Sequence, residues 1–201
     1  NYLTITKAIK LVGAGTSQTT VTRITGTGNT TYGFGLIKID TGTTESTFSF
    51  EMTGFRITPT AKNKNFIRIS GAGSGWRIHG NYFYKDLSTG DNDAVINIYP
   101  SSNTSHKLFG LIDNNVFENI KIYVTGTLPQ ANLSWKAAAQ WGTDQATFIE
   151  NNIFIRPRPY FDNSIDAYNG ARLVIRYNDF RNTRIEAHSA CQSYVRGPRS
   201  Y

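Results

Sequence analysis

Two stretches of the sequence decide its fold: IDNNVF at residues 112–117 and IENNIF at residues 149–154. In both, an Asn lies two residues before a Phe, and an Ile lies five residues before it. The same spacing occurs five times, anchored on Phe55, Phe83, Phe117, Phe154 and Phe180. The polar position holds Thr53, Asn81, Asn115, Asn152 and Asn178, and the apolar position holds Phe50, Ile78, Ile112, Ile149 and Ile175. A unit that recurs in this way predicts stacked structural repeats.

Each unit has the pattern of a bent β-strand. Mainly apolar residues seven and five positions before the Phe alternate as in a strand with one buried face, and the Asn allows a bend because it tolerates left-handed backbone geometry. A shorter strand precedes several units, at residues 66–69, 95–98 and 164–167, and a third strand follows at residues 120–124 and 184–188. Equivalent residues of stacked strands lie about 4.8 Å apart, so we expect a ladder of Asn side chains and a stack of Phe rings.

This pattern predicts an all-β fold, a right-handed parallel β-helix solenoid with about three strands per coil. A β-sandwich is the rival fold, but it does not require one polar column to recur five times. We expect residues 1–201 to form a single domain around one core. The strand-like pattern is under way from Asn1 and the chain stops abruptly at Tyr201, which predicts a segment of a longer chain.

The composition limits the partners that the domain can have. The formal net charge is +7, from 21 Lys and Arg against 14 Asp and Glu. This surplus suits either a solvated basic surface or an anionic partner such as an acidic polysaccharide. Nucleic acid is the weaker partner because no nucleic-acid motif of defined spacing occurs. No apolar run reaches the roughly 18 residues of a membrane span, so we expect none.

The sequence predicts no cofactor, with calcium as a weak exception. The single Cys191 cannot form an internal disulfide, and with three scattered His residues it makes a metal site improbable. Asp86, Asp91 and Asp93 could bind calcium through their carboxylates, but the later ligands of an EF-hand loop are missing. A turn is therefore the preferred interpretation of these three residues.

The stretches at residues 112–117 and 149–154 resemble the recurring coil motif of the pectate-lyase-like right-handed β-helix superfamily. The resemblance covers most of residues 48–182, and residues 2–24 are similar to the usual first coil. A further group is similar to a motif of uncharacterised secreted β-helix proteins: Asp166, residues 169–172, residues 176–178, His188, Arg196, Gly197 and Arg199. The resemblance implies an extracellular protein, or one on a cell or virion surface, that acts on polysaccharides, binds them or serves as a scaffold. The acidic calcium-binding set of true pectate lyases has no recognisable counterpart here.

One outward column of side chains lies four residues before the anchoring Phe residues: Glu51, His79, Asp113, Glu150 and Arg176. Neighbouring rungs would bring Asp113 beside Glu150, and Glu150 beside Arg176. Two interpretations stay open. The first is a charge ladder on a solvated face, which contributes little energy. The second is a pair of carboxylates for glycoside hydrolysis, in which one acid protonates the leaving oxygen.

A second outward column comes from the preceding strand: Arg68, Asn97, Gln140 and Asp166. In enzymes of the superfamily, the equivalent sheet holds the substrate between long loops, which implies walls at residues 84–93, 124–136 and 155–163. Trp135 and Tyr160 lie in these segments. Their rings suit either stacking on sugar rings or local packing of the loops.

The C-terminal part groups acidic and basic residues within about one coil: Asp166, Arg172, Arg176, Glu186, His188, Arg196 and Arg199. Arg can hold a carboxylate through two hydrogen bonds, and His or Arg could remove a proton in β-elimination of a uronate polymer. A salt-bridge network between coils is the alternative. The predicted catalytic residues are Asp166, Arg176, His188 and Glu150. The predicted substrate-binding residues are Arg172, Arg196, Arg199, Asn97, Trp135 and Tyr160.

The sequence thus predicts a secreted or surface-exposed β-helix domain that engages carbohydrate, as a polysaccharide lyase or hydrolase acting on an anionic glycan. The alternative is a non-catalytic solenoid, such as an adhesin, spike or filament component, in which length and rigidity are the function. Neighbours in a homo-oligomer or filament could then cover the open strand edges. Convergence of the ionisable columns in one cleft would favour the enzyme, and their dispersal would favour the scaffold.

Overall fold

The computed structural model of the chain describes residues 3–16, 22–26, 36–44, 46–59, 66–86, 94–100, 108–126, 145–156, 163–168, 171–187 and 199–200. Within these ranges the regular secondary structure consists of short β-strands. The pairings between these strands are parallel. No helix in the described ranges is long and apolar enough to cross a membrane.

The strands form three sheets, which we call A, B and C. Sheet A contains β1 (Leu3–Ile5), β4 (Ile37–Asp40), β7 (Ile67–Gly71), β10 (Ala94–Pro100), β13 (Lys121–Thr125), β16 (Asn163–Tyr168) and β19 (Arg184–Ala187). Sheet B contains β2 (Lys10–Val12), β5 (Glu51–Thr53), β8 (Trp76–His79), β11 (Gly110–Asp113), β14 (Thr147–Glu150), β17 (Arg172–Arg176) and β20 (Arg199–Ser200). Sheet C contains β3 (Thr22–Gly26), β6 (Phe55–Pro59), β9 (Tyr82–Tyr84), β12 (Val116–Glu118), β15 (Ile153–Ile155) and β18 (Asp179–Arg181).

The chain passes through sheets A, B and C once in each coil. Each strand pairs with the strand three places later along the chain, as β4 does with β7 and β7 with β10. Each coil therefore stacks on the coil before it. The fold is a parallel β-solenoid with three strands per coil, as the repeat predicts.

The inside of the solenoid is filled by columns of apolar side chains. In sheet A, one column of buried isoleucines runs through five rungs: Ile37, Ile67, Ile96, Ile122 and Ile165. In sheet B, the buried ring of Trp76 faces Gly110 on the next rung, where an added Cβ would lie 2.2 Å from a ring carbon. The Trp76 ring thus occupies the space that a side chain at position 110 would need, so a glycine is required on that rung.

Asparagine side chains form a ladder at the bend between sheets B and C. Asn115 Oδ1 accepts hydrogen bonds from the backbone N and the Nδ2 of Asn81, at 3.0 and 3.1 Å. Asn152 accepts the same two bonds from Asn115, both at 3.0 Å, and Asn178 accepts them from Asn152 at 2.9 and 3.0 Å. The residue before each Asn has a positive φ, between 53° and 60°; these residues are Gly80, Asn114, Asn151 and Tyr177. The predicted ladder is confirmed.

Phenylalanine rings stack behind this bend, on the inner side of sheet C. Ring centres lie 4.8 Å apart between Phe83 and Phe117, 4.9 Å between Phe117 and Phe154, and 4.8 Å between Phe154 and Phe180. The first three rings are fully buried and Phe180 is partly buried. The predicted inward direction of these four residues is therefore confirmed.

The first repeat departs from the predicted register by two residues. Ile57, rather than Phe55, pairs with Phe83. The backbone N of Phe55 donates to Asn81 Oδ1 at 3.0 Å, so Phe55 lies at the bend itself. Gly54, with a φ of 77°, takes the left-handed position there and starts the turn. A shift of two residues keeps each side chain on its predicted face, so a period-two pattern cannot reveal it.

This shift also changes the first members of two columns in sheet B. Thr53 pairs with His79, in the place predicted for Glu51. Met52 pairs with Ile78, in the place predicted for the Phe two residues earlier. The charged column therefore begins at His79, although Glu51 reaches it through its side chain, as described below.

The corners of the coil differ in length. Sheets B and C are joined by two residues in four coils, at 80–81, 114–115, 151–152 and 177–178. By contrast, residues 101–109 and 126–146 join sheet A to sheet B, and residues 85–93 join sheet C to sheet A. The longest insertions therefore leave from the ends of the sheet A strands. The walls predicted at residues 84–93, 124–136 and 155–163 fall in these corners, largely outside the described residues.

Candidate functional site

The outer face of sheet A presents two columns of side chains. The first column contains Thr4, Lys38, Arg68, Asn97, Tyr123, Asp166 and Glu186 in order along the solenoid. The second contains Asp40, Ser70, Tyr99, Thr125 and Tyr168. Both alternate with the inward isoleucines, which fixes their outward direction.

The predicted second column is confirmed at three positions and corrected at one. Arg68, Asn97 and Asp166 lie in the same outward column, as expected. Tyr123 lies between Asn97 and Asp166, where Gln140 was expected; Gln140 lies outside the described residues. The reason is that the stretch at residues 120–124, interpreted as a strand closing one coil, provides the sheet A strand β13 of the next coil.

Charge is separated along the first column. Lys38 and Arg68 lie on rungs nearer the N-terminus, and Asp166 and Glu186 lie on the last two rungs, with two uncharged rungs between. Three rungs separate Arg68 from Asp166, which corresponds to about 14 Å at the usual strand spacing. This column thus has a basic end and an acidic end, although Asp40 lies beside Lys38 and Arg184 lies 3.5 Å from Glu186.

Tyrosine rings lie beside both ends of this column. The guanidinium carbon of Arg68 lies 4.6 Å from the ring centre of Tyr99, which is 40% exposed. The ring centres of Tyr123 and Tyr168 lie 5.6 Å apart with a 48° angle between the rings. Lys121 Nζ lies 5.4 Å from the centre of the Tyr123 ring. Cation–π contacts of this kind hold two of the three rings in place.

Asp166 is buried although it belongs to an outward column. Its side chain is 0% exposed, and the hydroxyl of Tyr168 donates to its Oδ2 at 2.9 Å. Burial and this hydrogen bond raise the pKa of Tyr168. Glu186, the partner of Asp166 on the next rung, accepts a hydrogen bond from Asn163 at 2.6 Å. The predicted catalytic Asp166 thus has a carboxylate neighbour but is shielded from solvent; the predicted ligand Asn97 is also buried, at 8% exposure.

Arg68 is a half-buried cation beside the exposed Tyr99. Burial lowers the pKa of Arg68, and electrostatic interactions with Tyr99 and Asp40 oppose this only in part. Asp40 is itself bound by Lys38 Nζ at 2.7 Å and by the backbone N of Gly42 at 3.1 Å. Burial raises the pKa of Asp40, but these hydrogen bonds and the charge of Lys38 outweigh it and leave that pKa below its usual value. Asp40 is therefore engaged with Lys38 rather than bonded to Arg68.

The charged column of sheet B has the predicted register over its last rungs. Asp113 pairs with Glu150, and Glu150 pairs with Arg176. Arg77 donates to both oxygens of Asp113, from Nε at 2.8 Å and from Nη2 at 2.6 Å, which raises the pKa of Arg77. Arg176 Nε donates to Glu150 at 2.7 Å. The predicted catalytic residues Glu150 and Arg176 thus neutralise each other, and this column is a ladder of ion pairs.

The same ladder extends into the early coils through Glu51. Its Oε1 lies 2.7 Å from Lys10 Nζ and 2.7 Å from His79 Nε2. The hydrogen bonds from Lys10 and His79 lower the pKa of Glu51. The described carboxylates of the sheet B face are therefore held by basic neighbours.

The C-terminal constellation is divided between two sheets. Asp166 and Glu186 lie on sheet A, whereas Arg172 and Arg176 lie on sheet B, where the strand of Arg199 pairs with that of Arg172. Residues close in sequence separate here because successive strands of a coil belong to different sheets. Four other predicted site residues lie outside the described residues: His188, Arg196, Trp135 and Tyr160.

The part of the chain that the structure describes contains no group of three or more His, Cys, Asp and Glu side chains placed to hold a metal ion. Of the three carboxylates considered for calcium, Asp86 is described, and Asp91 and Asp93 lie outside the described residues.

The sequence patterns do not single out Tyr99, Tyr123 or Tyr168 as site residues. The signal is present, since Tyr99 and Tyr123 each follow an inward Ile in a period-two strand and must therefore face outward. This pattern does not identify a binding residue, because aromatic residues are common in strands for packing reasons alone. Comparison of the chain with protein families, with curated proteins and with solved structures gives no match, so the site must be argued from its own geometry.

Proposed function

We propose that the outer face of sheet A binds a polysaccharide chain. The observation that carries the proposal is the group of Tyr99, Tyr123 and Tyr168 beside a column of cationic, amide and acidic side chains. Tyrosine offers an apolar ring and a hydrogen-bonding hydroxyl. Sugar rings present both apolar faces and hydroxyl groups, so they match this combination. Ligand sites in general combine aromatic surface with a few oriented polar groups.

The dimensions of the face favour a chain over a single sugar. From Lys38 on β4 to Glu186 on β19 the first column covers five rung steps, or about 24 Å at the usual strand spacing. The insertions at residues 101–109 and 126–146 start from the sheet A strands. Variable loops on a rigid scaffold are where binding sites commonly develop, and this supports sheet A over the faces with short corners.

Binding is favoured over turnover by the state of the carboxylates. Hydrolysis by two carboxyl groups requires both to reach the glycosidic bond. Asp166 is shielded under Tyr168, and Glu150 is bound to Arg176 on another sheet. Binding without turnover is therefore proposed first, and a polysaccharide lyase or hydrolase second. In both cases the proposed ligand is an anionic glycan.

The proposal includes a right-handed, pectate-lyase-like coil and a location outside the cell or on a surface. Crossovers between parallel strands are right-handed in about 98% of cases. The stretches at residues 112–117 and 149–154 support the superfamily through their resemblance to its coil motif. A polysaccharide ligand is consistent with the extracellular location that this resemblance implies.

A non-catalytic scaffold is the second candidate function. It is favoured by the Asn ladder and the Phe stack, which run through four consecutive coils and make the solenoid rigid. A pure scaffold would need no exposed tyrosine on sheet A. The two candidates therefore differ in one measurable property, which is affinity for glycans.

A glycan screen followed by calorimetry on the best ligand tests the proposal. Tyr99→Ala should retain the fold and lose roughly tenfold in affinity, or about 1.4 kcal/mol. Tyr177→Ala is the matched control, since Tyr177 is 75% exposed at the bend between sheets B and C; it should bind like the unmodified protein. If the unmodified protein binds no glycan, the scaffold is the better function. If both variants lose affinity equally, sheet A is not the binding face.

A further inference from the structure

Arg68 differs from Arg77 and Arg176 of sheet B in having no carboxylate bonded to it among the described residues. Arg77 and Arg176 each donate to an acid within 2.8 Å. Arg68 Nε is buried and has no hydrogen-bond partner in the described part of the chain. Asp40, whose charge acts on Arg68, is bound to Lys38 instead.

An unbalanced, partly buried guanidinium is costly. Removing a charge from water without a bonded counterion is unfavourable, and more so the more deeply the charge is buried. The face of Tyr99, 4.6 Å away, returns only part of this through a cation–π contact. An anion arriving at Arg68 would be held in surroundings of low dielectric, where charge-assisted hydrogen bonds are strongest.

The position of Arg68 on the face supports the same ligand. It lies in the first column between Lys38 and Asn97, beside the exposed ring of Tyr99. In the same column, the carboxylates of Asp166 and Glu186 lie three and four rungs away, too far to bond to Arg68. The rungs around Arg68 and Tyr99 therefore favour an acidic substituent.

We propose that Arg68 binds an oxyanion of the polysaccharide, a uronate carboxylate or a sulfate ester, while Tyr99 contacts the ring that bears it. This inference rests on the proposed binding function of sheet A. It assigns the preference for an acidic glycan to Arg68 rather than to the C-terminal arginines, of which Arg176 is already bound to Glu150.

Calorimetry with three oligosaccharides of equal length tests this assignment: a uronate oligosaccharide, its carboxyl-reduced neutral form and a sulfated oligosaccharide. The unmodified protein should bind at least one acidic form about tenfold more tightly than the neutral form. Arg68→Gln should lose that preference and keep its affinity for the neutral form. Arg181→Gln, which removes the same charge from an exposed pair with Asp179, should keep the preference.

The outcomes separate this inference from the proposed function. Equal affinity of the unmodified protein for acidic and neutral forms overturns the role of Arg68 and leaves polysaccharide binding in place. A preference that survives Arg68→Gln, or that falls equally in Arg181→Gln, overturns it as well. Binding of none of the three, with no glycan found in the screen, overturns both. The better of the two acidic ligands identifies the anion as carboxylate or sulfate.

Discussion

Sheets A and B are built from the same coils, yet they differ in how completely their arginines are paired with carboxylates. On sheet B, Asp113 and Glu150 are each bound by an arginine within 2.8 Å. On sheet A, Arg68 and Asp166 lie three rungs apart, and each contacts a tyrosine. Paired charges satisfy one another and leave little for a ligand. Sheet A has ion pairs too, Lys38 with Asp40 and Arg184 with Glu186. Arg68, however, has no carboxylate bonded to it among the described residues, which is why we propose binding on sheet A.

The largest expected effect comes from a core substitution that unfolds the solenoid and so removes both sheet faces. Ile149 is fully buried in sheet B between Ile112 and Ile175. Ile149→Asp places an unpaired charge in the core and should cost more than about 4 kcal/mol, enough to abolish folding. Circular dichroism and thermal denaturation would measure this. Val174→Asp, at an outward, half-buried position of the same sheet, is the control and should fold; a folded Ile149→Asp protein would contradict the register.

A smaller effect should separate the roles of the two faces. Asp113→Asn removes the charge that Arg77 binds with two hydrogen bonds, and should cost about 2 kcal/mol of stability. Glycan affinity should not change, because the pair lies on sheet B. Asp179→Asn, in an exposed pair with Arg181, is the control and should leave the stability nearly unchanged. Chemical denaturation and calorimetry on the same preparations would check this. Loss of glycan affinity with unchanged stability would reverse the assignment of the faces.

The smallest effect concerns acid titration of sheet B. The pKa of Glu51 in the folded protein is lowered from 4.5 by hydrogen bonds from Lys10 and His79. A lowered folded pKa contributes stability that is present above pH 4.5 and is lost as the pH falls through the folded value. The Tm difference between the unmodified protein and Glu51→Gln should therefore shrink as the pH falls below 4.5. A difference that grows on acidification would contradict the pairing, and high salt should reduce it throughout.

The frame of the fold is predictable from the sequence because its signals are local. An Asn two residues before a Phe, and an Ile five before it, determine the bend, the ladder and the ring stack in four coils. The first repeat departs from the pattern because Gly54 takes the left-handed turn position, which moves Phe55 into the bend. A displacement by two residues leaves the inward and outward faces unchanged, so the pattern still fits.

The candidate site is much less predictable. The register of Asp113, Glu150 and Arg176 follows from the repeat, but the pairing of Arg77 with Asp113 depends on side chains 36 residues apart. The sequence does not reveal the place of Tyr123 in the sheet A column, because the pattern at residues 120–124 predicts a strand that closes one coil. In the structure, β13 is the sheet A strand that opens the next coil. Sequence spacing also grouped Arg172 with Asp166, although a corner of the coil directs them to different sheets.

The asparagine ladder acts as a set of dipoles in series. The Nδ2 of Asn81, Asn115 and Asn152 each donates to the Asn Oδ1 of the coil after it, so these amides point in one sense along the solenoid. Asn178 ends the ladder, since its Nδ2 donates to the backbone carbonyls of Ile149 and Arg176. Hydrogen bonds in such a chain polarise one another. Removing an inner amide interrupts the series, whereas removing the last one only shortens it. Neighbouring coils are thus linked by polarised hydrogen bonds as well as by packing. Replacing an Asn in the middle of the ladder should disturb this link more than replacing the last one.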